Sequence, residues 1–214
     1  YVHSDADSFF GDLYAQDNVV SSLCNSHSKR KFEAISKQSK KEDLSHHAMM
    51  VYAQLYKIEK KAKREKMTPE QRYQLRIQYA KPILEKFKVW LEEKVHLVRI
   101  KSPIAKAMKY ALNHWDGLLR YLEDGRLFID NNHTEREIKP FVIARKNFLF
   151  AGSQEGVRAL CVLFSLIRTA KLHGLDPYRY YVKVMKDIPC CQTVEDYEAL
   201  LPWNISLEKV ISQD

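Results

Sequence analysis

The sequence predicts a mixed α and β fold in which helices dominate. Two short apolar runs near the start of the chain have the character of strands, namely residues 1–5 (YVHSD) and 19–24 (VVSSLC). From residue 42 onward, apolar side chains recur every three or four positions, which is the period of a helix that packs on one face. We therefore expect an α+β fold that is mostly α.

Both predicted strands lead into charged segments. The first ends at Asp5, with Asp7 close behind it in an acidic turn. An aspartate at the carboxyl end of a strand can project its carboxylate into a cleft, whereas a solvated turn is the alternative that composition favours. The second strand leads into a basic helix over residues 27–36, whose triplet Lys29-Arg30-Lys31 is either a phosphate contact or a solvated helix face.

The predicted helices between residues 42 and 124 form a hairpin that we expect to be separable. The first covers residues 42–66 and carries a basic run at 57–66. The next begins at Thr68, an N-cap followed by a proline at the first helical position, and Pro82 predicts a kink or break inside it. A third helix begins at Ser102 and ends near residue 125, at a glycine.

The rest of the chain predicts one extended segment and further helices. Residues 126–129 are expected to be extended. Ser153 is a candidate N-cap for a long helix that ends near residue 174, Asp176 begins another helix, and a last one covers about 194–200.

Composition describes a folded protein with a polyanionic partner. The chain has 214 residues, of which 45% are hydrophobic and 29% charged, and its net charge is +8. A positive charge of this size favours binding to a polyanion. No apolar run reaches the roughly 18 residues that span a bilayer, so no membrane partner is expected. Four cysteines without a disulfide-like spacing indicate a reducing cytoplasm.

Residues 130–152 (DNNHTEREIKPFVIARKNFLFAG) carry the clearest chemical signal. One carboxylate, Glu135, stands among cations that include Arg136 and the pair Arg145-Lys146. This combination suits a divalent metal held against a phosphate backbone, because the metal needs oxygen ligands and phosphates need positive partners. The alternative is a capping box, in which Asn132 is the N-cap and Glu135 reaches back to its backbone N–H.

The same segment closely resembles the catalytic-glutamate segment of the insertion-sequence 66 family of bacterial transposases. Residues 24–32 resemble the family's Cys-x-x-His segment with its following basic residues, although Asn25 stands where the family usually has Trp, and Lys29 where it usually has Arg. A zinc site at Cys24 and His27 would lack two of its four ligands. Three further segments, residues 112–132, 163–180 and 200–204, resemble the family in the family's order.

The resemblance implies a ribonuclease H-like core that is interrupted by a helical insertion and followed by a helical C-terminal tail. In that layout residues 1–41 belong to the core, 42–124 form the insertion, 125–174 return to the core with the glutamate helix, and 175–214 are the tail. The resemblance makes Asp5 the second and Glu135 the third catalytic carboxylate. We expect the first, and the family's DNA-binding region, to lie upstream of Tyr1, so that the chain is a C-terminal portion.

The function implied for the intact protein is DNA cleavage and strand transfer by two-metal phosphoryl transfer. Asp5 and Glu135 are the expected ligands of Mg²⁺ or Mn²⁺. The expected partners are the transposon ends, the target DNA and further copies of the chain, in the bacterial cytoplasm at the nucleoid. The alternatives are a catalytically inactive basic helical module for DNA binding or assembly, and an inert remnant. The expected DNA-binding residues are Lys29, Arg30, Lys31, Arg136, Lys139, Arg145 and Lys146.

Overall fold

The structure, a computed structural model, describes residues 1–6, 10–39, 42–148 and 151–205. Asp7, the second aspartate of the acidic turn, lies outside them. The strands are β1 (Val2–Ser4) and β2 (Ser21–Leu23). The α-helices are α1 (Gly11–Tyr14), α2 (Asn25–Ser36), α3 (Leu44–Arg64), α4 (Pro69–Leu75), α5 (Lys81–Val95), α6 (Pro103–Asn113), α7 (Trp115–Leu119), α8 (Asn132–Phe148), α9 (Gln154–Leu172), α10 (Pro177–Asp187) and α11 (Val194–Ala199).

The predicted fold class, α+β and mostly α, is confirmed. β1 and β2 form a parallel pair in which Ser4 lies opposite Leu23. The chain divides into two compact units, Tyr1–His133 and Thr134–Asp214. The ribonuclease H-like core and the four-segment layout stay predictions. In the described part of the chain, no helix combines the length and apolar character that a bilayer crossing requires.

The core of the first unit is aromatic and is shared by several helices. Phe32 of α2 lies 6.2 Å from Tyr52 of α3 and 6.4 Å from Phe87 of α5, measured between ring centroids. All three side chains are buried, and Leu23 of β2 belongs to the same cluster. The helices of residues 42–124 therefore share their core with α2 and β2, and the separable hairpin stays a prediction. Apolar side chains on α2 complete the surface that those helices bury.

The helix does not break at Pro82. A π-helical segment, Arg76–Ala80, joins α4 to α5, and the N–H of Lys81 donates to the carbonyl of Arg76. Proline has no N–H to donate and crowds the preceding turn, so a wider turn just before it accommodates the ring without ending the helix.

Arg76, at the start of the π-helical segment, is a fully buried cation. Its Nε and Nη2 donate to the two carboxylate oxygens of Glu59 at 2.7 and 2.8 Å. Its other bonds go to backbone carbonyls: Nη1 to Tyr121 at 2.6 Å and Asp124 at 3.0 Å, and Nη2 to Leu127 at 2.8 Å. All five N–H donors of the guanidinium are thus used. The network fixes the chain that leads to residue 130.

The second unit contains α9 and α10, which enclose a smaller core. Ala170, Leu175 and Val184 are buried there together with Tyr180, whose hydroxyl donates to the carbonyl of Leu200 at 3.0 Å. The predicted starts of both helices are confirmed by their caps. Ser153 Oγ accepts from Gly156 N at 3.0 Å, and Asp176 Oδ1 accepts from Arg179 N at 2.7 Å.

Candidate functional site

Asp5 lies at the carboxyl end of the parallel sheet. It follows β1 directly, and Cys24 follows β2 directly, with the N–H of Cys24 donating to the carbonyl of Ser4 at 2.9 Å. Because parallel strands end at the same edge, side chains after β1 and after β2 share one location. This edge is where ligands bind in open α/β sheets. Asp5 is half-buried there, so its carboxylate remains reachable.

The segment before α8 reaches the same edge. The N–H of Asn25 donates to the carbonyl of Ile129 at 3.1 Å, and the N–H of Asn131 donates to Cys24 Sγ at 3.4 Å. These bonds bring Asp130 beside the ends of both strands. Sequence reasoning included Asp130 in a polar cluster but did not assign it to the site. The available signal was its position directly after an expected extended segment, which is the same position that singled out Asp5.

Two tyrosines, one on α3 and one on α6, hold this edge. Tyr56 Oη donates to Asp130 Oδ2 at 2.9 Å, and Tyr110 Oη donates to the backbone carbonyl of Asp5 at 3.0 Å. Burial raises the pKa of both phenols, and the Asp130 charge raises the pKa of Tyr56 further. Both hydroxyls therefore stay protonated and remain donors at neutral pH.

The predicted phosphate-binding triplet lies against these tyrosines. Lys29 Nζ is 5.4 Å from the ring centroid of Tyr56, and Lys31 Nζ is 4.2 Å from the ring centroid of Tyr110. Both distances suit a cation–π contact. Arg30 Nη2 donates to Asn132 Oδ1 at 3.2 Å. The three cations thus approach the end of the sheet from α2, through contacts with α3, with α6 and with the start of α8.

Cys24 is buried at the end of β2, and burial raises the pKa of its thiol. The bond from Asn131 gives the sulfur a packing role at the end of β2.

Glu135 lies in the first turn of α8, in the second unit. On α8, Glu137 pairs with Arg168 of α9, and the Phe141 ring packs edge-on against Phe164 at 4.9 Å between centroids. At 100° per residue, these contacts place Glu135 on the face of α8 turned away from α9. Lys139 and Lys146 share that face, and both side chains are exposed.

Arg136 and Arg145 flank the same face of α8 on its two sides, and both are exposed. The helix begins at Asn132, one residue before the start that the capping-box alternative requires. The side-chain oxygen of Asn132 accepts from Arg30. Glu135 is half-buried, and exposed cations flank it on α8.

The donor set fits a hard divalent cation, but it is not complete. Asp5 and Glu135 offer carboxylate oxygens, which Mg²⁺ prefers. Within the described ranges, no group of three or more His, Cys, Asp and Glu side chains is arranged to hold a metal ion. Asp5 lies in the first unit and Glu135 in the second, and their meeting at one metal stays a prediction.

Comparison with known proteins identifies the family. Residues 1–159 match the family described as "Transposase IS66 family", and residues 165–203 match the "IS66 C-terminal element". The uncharacterised protein y4jD of Sinorhizobium fredii is 34% identical over 189 residues, which are 88% of this chain and 36% of that protein. The uncharacterised protein y4qI of the same organism is 39% identical over 124 residues, which are 58% of this chain and 23% of that protein.

A third relative from the same organism, y4hP, is 28% identical over 196 residues, which are 86% of this chain and 35% of that protein. The chain thus spans about a third of the length of the relatives that it matches most fully. No solved structure matches the chain.

Proposed function

Because the chain belongs to the IS66 family of transposases, we propose that it contributes Asp5, Glu135 and a set of cations to a metal-dependent site for DNA cleavage and strand transfer. The main support is the convergence of Asp5 with the triplet Lys29-Arg30-Lys31 at the carboxyl end of a parallel strand pair. We propose the same arrangement as part of a ribonuclease H-like core. The whole activity belongs to the longer protein.

In this proposal the residues of the chain bind and orient the DNA. Asp5 and Glu135 supply oxygen ligands for Mg²⁺ or Mn²⁺, and Tyr110 fixes the backbone of Asp5 through the bond to its carbonyl. A metal held by Asp5 and Glu135 would polarise the phosphate and stabilise the leaving oxygen. Lys29 and Lys31, held at tyrosine rings, neutralise phosphates that would otherwise be repelled by the carboxylates.

The proposed partners are transposon ends and target DNA, held largely through the phosphate backbone. Sequence-independent binding then has a Kd on the order of 10⁻⁴ to 10⁻⁶ M at physiological salt. The exposed cations of α8, Arg136, Lys139, Arg145 and Lys146, add to the same binding. Assembly of several copies is part of the proposal for the intact transposase.

A second candidate function is a basic DNA-binding or assembly module without catalysis. It rests on the +8 net charge and on the assignment of two carboxylates, not three, to this chain. Nuclease activity separates the two candidates only in the longer protein, whereas DNA binding is common to both.

DNA binding is tested by fluorescence anisotropy across a salt series. The double variant Arg145→Ala/Lys146→Ala should flatten the slope of log K against log salt by about two, because each phosphate contact contributes about one. The matched control is Lys60→Ala/Lys61→Ala on α3, which removes the same charge and should leave the slope unchanged. Equal slopes for the parent and the first variant would show that α8 does not touch phosphate.

Cleavage is tested with the purified chain, Mg²⁺ and a supercoiled plasmid. We expect no nicking, because a complete site needs a third carboxylate. Nicking that disappears in Glu135→Gln would contradict this expectation. It would show that another acid of the chain, such as Asp130, completes the ligand set.

A further inference from the structure

The loop between α5 and α6, residues 96–102, exposes two large apolar side chains. Leu97 and Ile100 are each 74% exposed. Both lie in a short connection between two helices whose inner faces are buried in the core of the first unit. Isolated apolar residues on a surface need no explanation, but two at the tip of one short loop form a distinct feature.

The loop holds these side chains outward by fixed contacts. Val98, between them, packs against the core. The N–H of Leu97 donates to the carbonyl of Lys94 at 3.1 Å, and the N–H of Ser102 donates to the carbonyl of Arg99 at 2.9 Å. Ser102 Oγ then caps α6 by accepting from Ala105 N at 3.3 Å. The exposure of Leu97 and Ile100 is therefore set by the fold.

Cations alternate with the apolar residues. Arg99 and Lys101 are exposed, and so is Lys106 on the first turns of α6. No carboxylate in the described ranges forms an ion pair with any of the three. A purely apolar protein surface would leave these cations without partners. A nucleic acid offers phosphates for the cations and stacked bases for the apolar side chains.

The loop is aligned with the candidate site. Tyr110, which bonds to the carbonyl of Asp5 and lies under Lys31, is on α6. Lys106 precedes it by four residues and shares its face of the helix. The first residue of α6, Pro103, precedes Tyr110 by seven residues, or about 10 Å of helix. Lys106 thus lies on α6 between the loop and Tyr110 of the candidate site.

We propose that this loop acts as a wedge that enters DNA. This inference rests on the DNA-binding function proposed above. Leu97 and Ile100 enter between base pairs from the minor groove, while Arg99, Lys101 and Lys106 bind the adjacent phosphates. Minor-groove proteins insert Leu, Ile and similar side chains in this way, and the inserted residues unstack a base step and kink the duplex. A duplex at the candidate site is thereby bent within a few base pairs of the strand to be cut.

The test uses the full chain and short duplexes that carry 2-aminopurine, whose fluorescence rises when a base unstacks. The parent should raise the fluorescence on binding, and Leu97→Ser/Ile100→Ser should abolish the rise while keeping the salt slope. Val89→Ser, which alters a 54% exposed apolar residue on α5, is the matched control and should behave as the parent. Arg99→Ala/Lys101→Ala should lower the salt slope by about two.

The outcomes separate this inference from the proposed function. Salt-dependent binding by the parent without a fluorescence rise overturns the wedge and leaves DNA binding intact. The absence of any duplex binding overturns the proposed function, and the wedge with it. A parent that sediments as an oligomer, with a monomeric Leu97→Ser/Ile100→Ser variant, overturns the wedge by assigning the loop to contact between copies. Circular dichroism of each variant checks that the fold is retained.

Discussion

Replacing Arg76 by methionine should destabilise the first unit strongly. Methionine fills a similar volume but removes all five hydrogen bonds of the guanidinium. Glu59, whose side chain is only 15% exposed, would lose its cation. The carbonyls of Tyr121, Asp124 and Leu127 would lose their donor as well.

The magnitude follows from these losses. Removing one partner of a buried ion pair costs about 3–5 kcal/mol, because it leaves the other charge uncompensated. The double variant Arg76→Met/Glu59→Leu removes that charge as well, and such apolar replacements are often neutral in other proteins. Here the carbonyls remain without donors at about 1–3 kcal/mol each. The double variant should therefore recover only part of the stability.

The assay is urea unfolding followed by circular dichroism, with the free energy of unfolding obtained by linear extrapolation. The control is Arg64→Met, since Arg64 pairs with Glu65 while its side chain is 76% exposed, and this change should have little effect. An unfolding midpoint for Arg76→Met equal to that of the parent would refute the reasoning. A double variant as stable as the parent would show that the carbonyl bonds contribute nothing.

Three further predictions address packing, pH and thiol reactivity. Gly125→Ala should lower the free energy of unfolding by about 1–3 kcal/mol or more, because the new Cβ would lie 1.8 Å from a backbone oxygen of α4. Gly11→Ala is the control, since a Cβ at Gly11 would have no heavy atom within 4 Å. Asp43 is the N-cap of α3, and the hydrogen bond from the Ser45 hydroxyl lowers the pKa of its carboxyl. The ionised carboxylate therefore stabilises the fold above pH 3.8, and this stabilisation is lost as the pH falls below that value. Asp43→Asn should remove this acid sensitivity in a pH series of thermal melts. Cys24, buried and with a raised thiol pKa, should react with a disulfide reagent only after unfolding, and rapid reaction in the native protein would contradict its burial.

Local signals were sufficient to predict the starts of α4, α6, α9 and α10. At each start, the side chain of the N-cap residue accepts a hydrogen bond from a backbone N–H in the first turn of the helix. The N-cap residues are Thr68, Ser102, Ser153 and Asp176. A cap and its partners lie within one turn of each other, so a short window of sequence contains the whole interaction. The same holds for the expected strand before Asp5.

Interactions between distant residues could not be predicted in the same way. Arg76 lies in a stretch of ordinary helical polarity, and its partner Glu59 is 17 residues away, on another helix. Nothing near either residue indicates burial. Asp130 was missed for the same reason: its proximity to the strand ends depends on pairing of residues 129 and 131 with the segment at 24–25, more than 100 residues earlier.

Asn25 is held on two sides by residues that lie far away in the sequence. Its side chain is buried and donates to the carbonyl of Leu118 at 3.0 Å. Its backbone N–H also binds Ile129. An indole at this position would exceed the space that the Asn25 amide fills. Loss of the amide would also leave the carbonyl of Leu118 in α7 without this donor. A tryptophan at position 25 should therefore destabilise the first unit unless the side chains around it change at the same time, so the space at this position depends on residues that lie far away in the sequence.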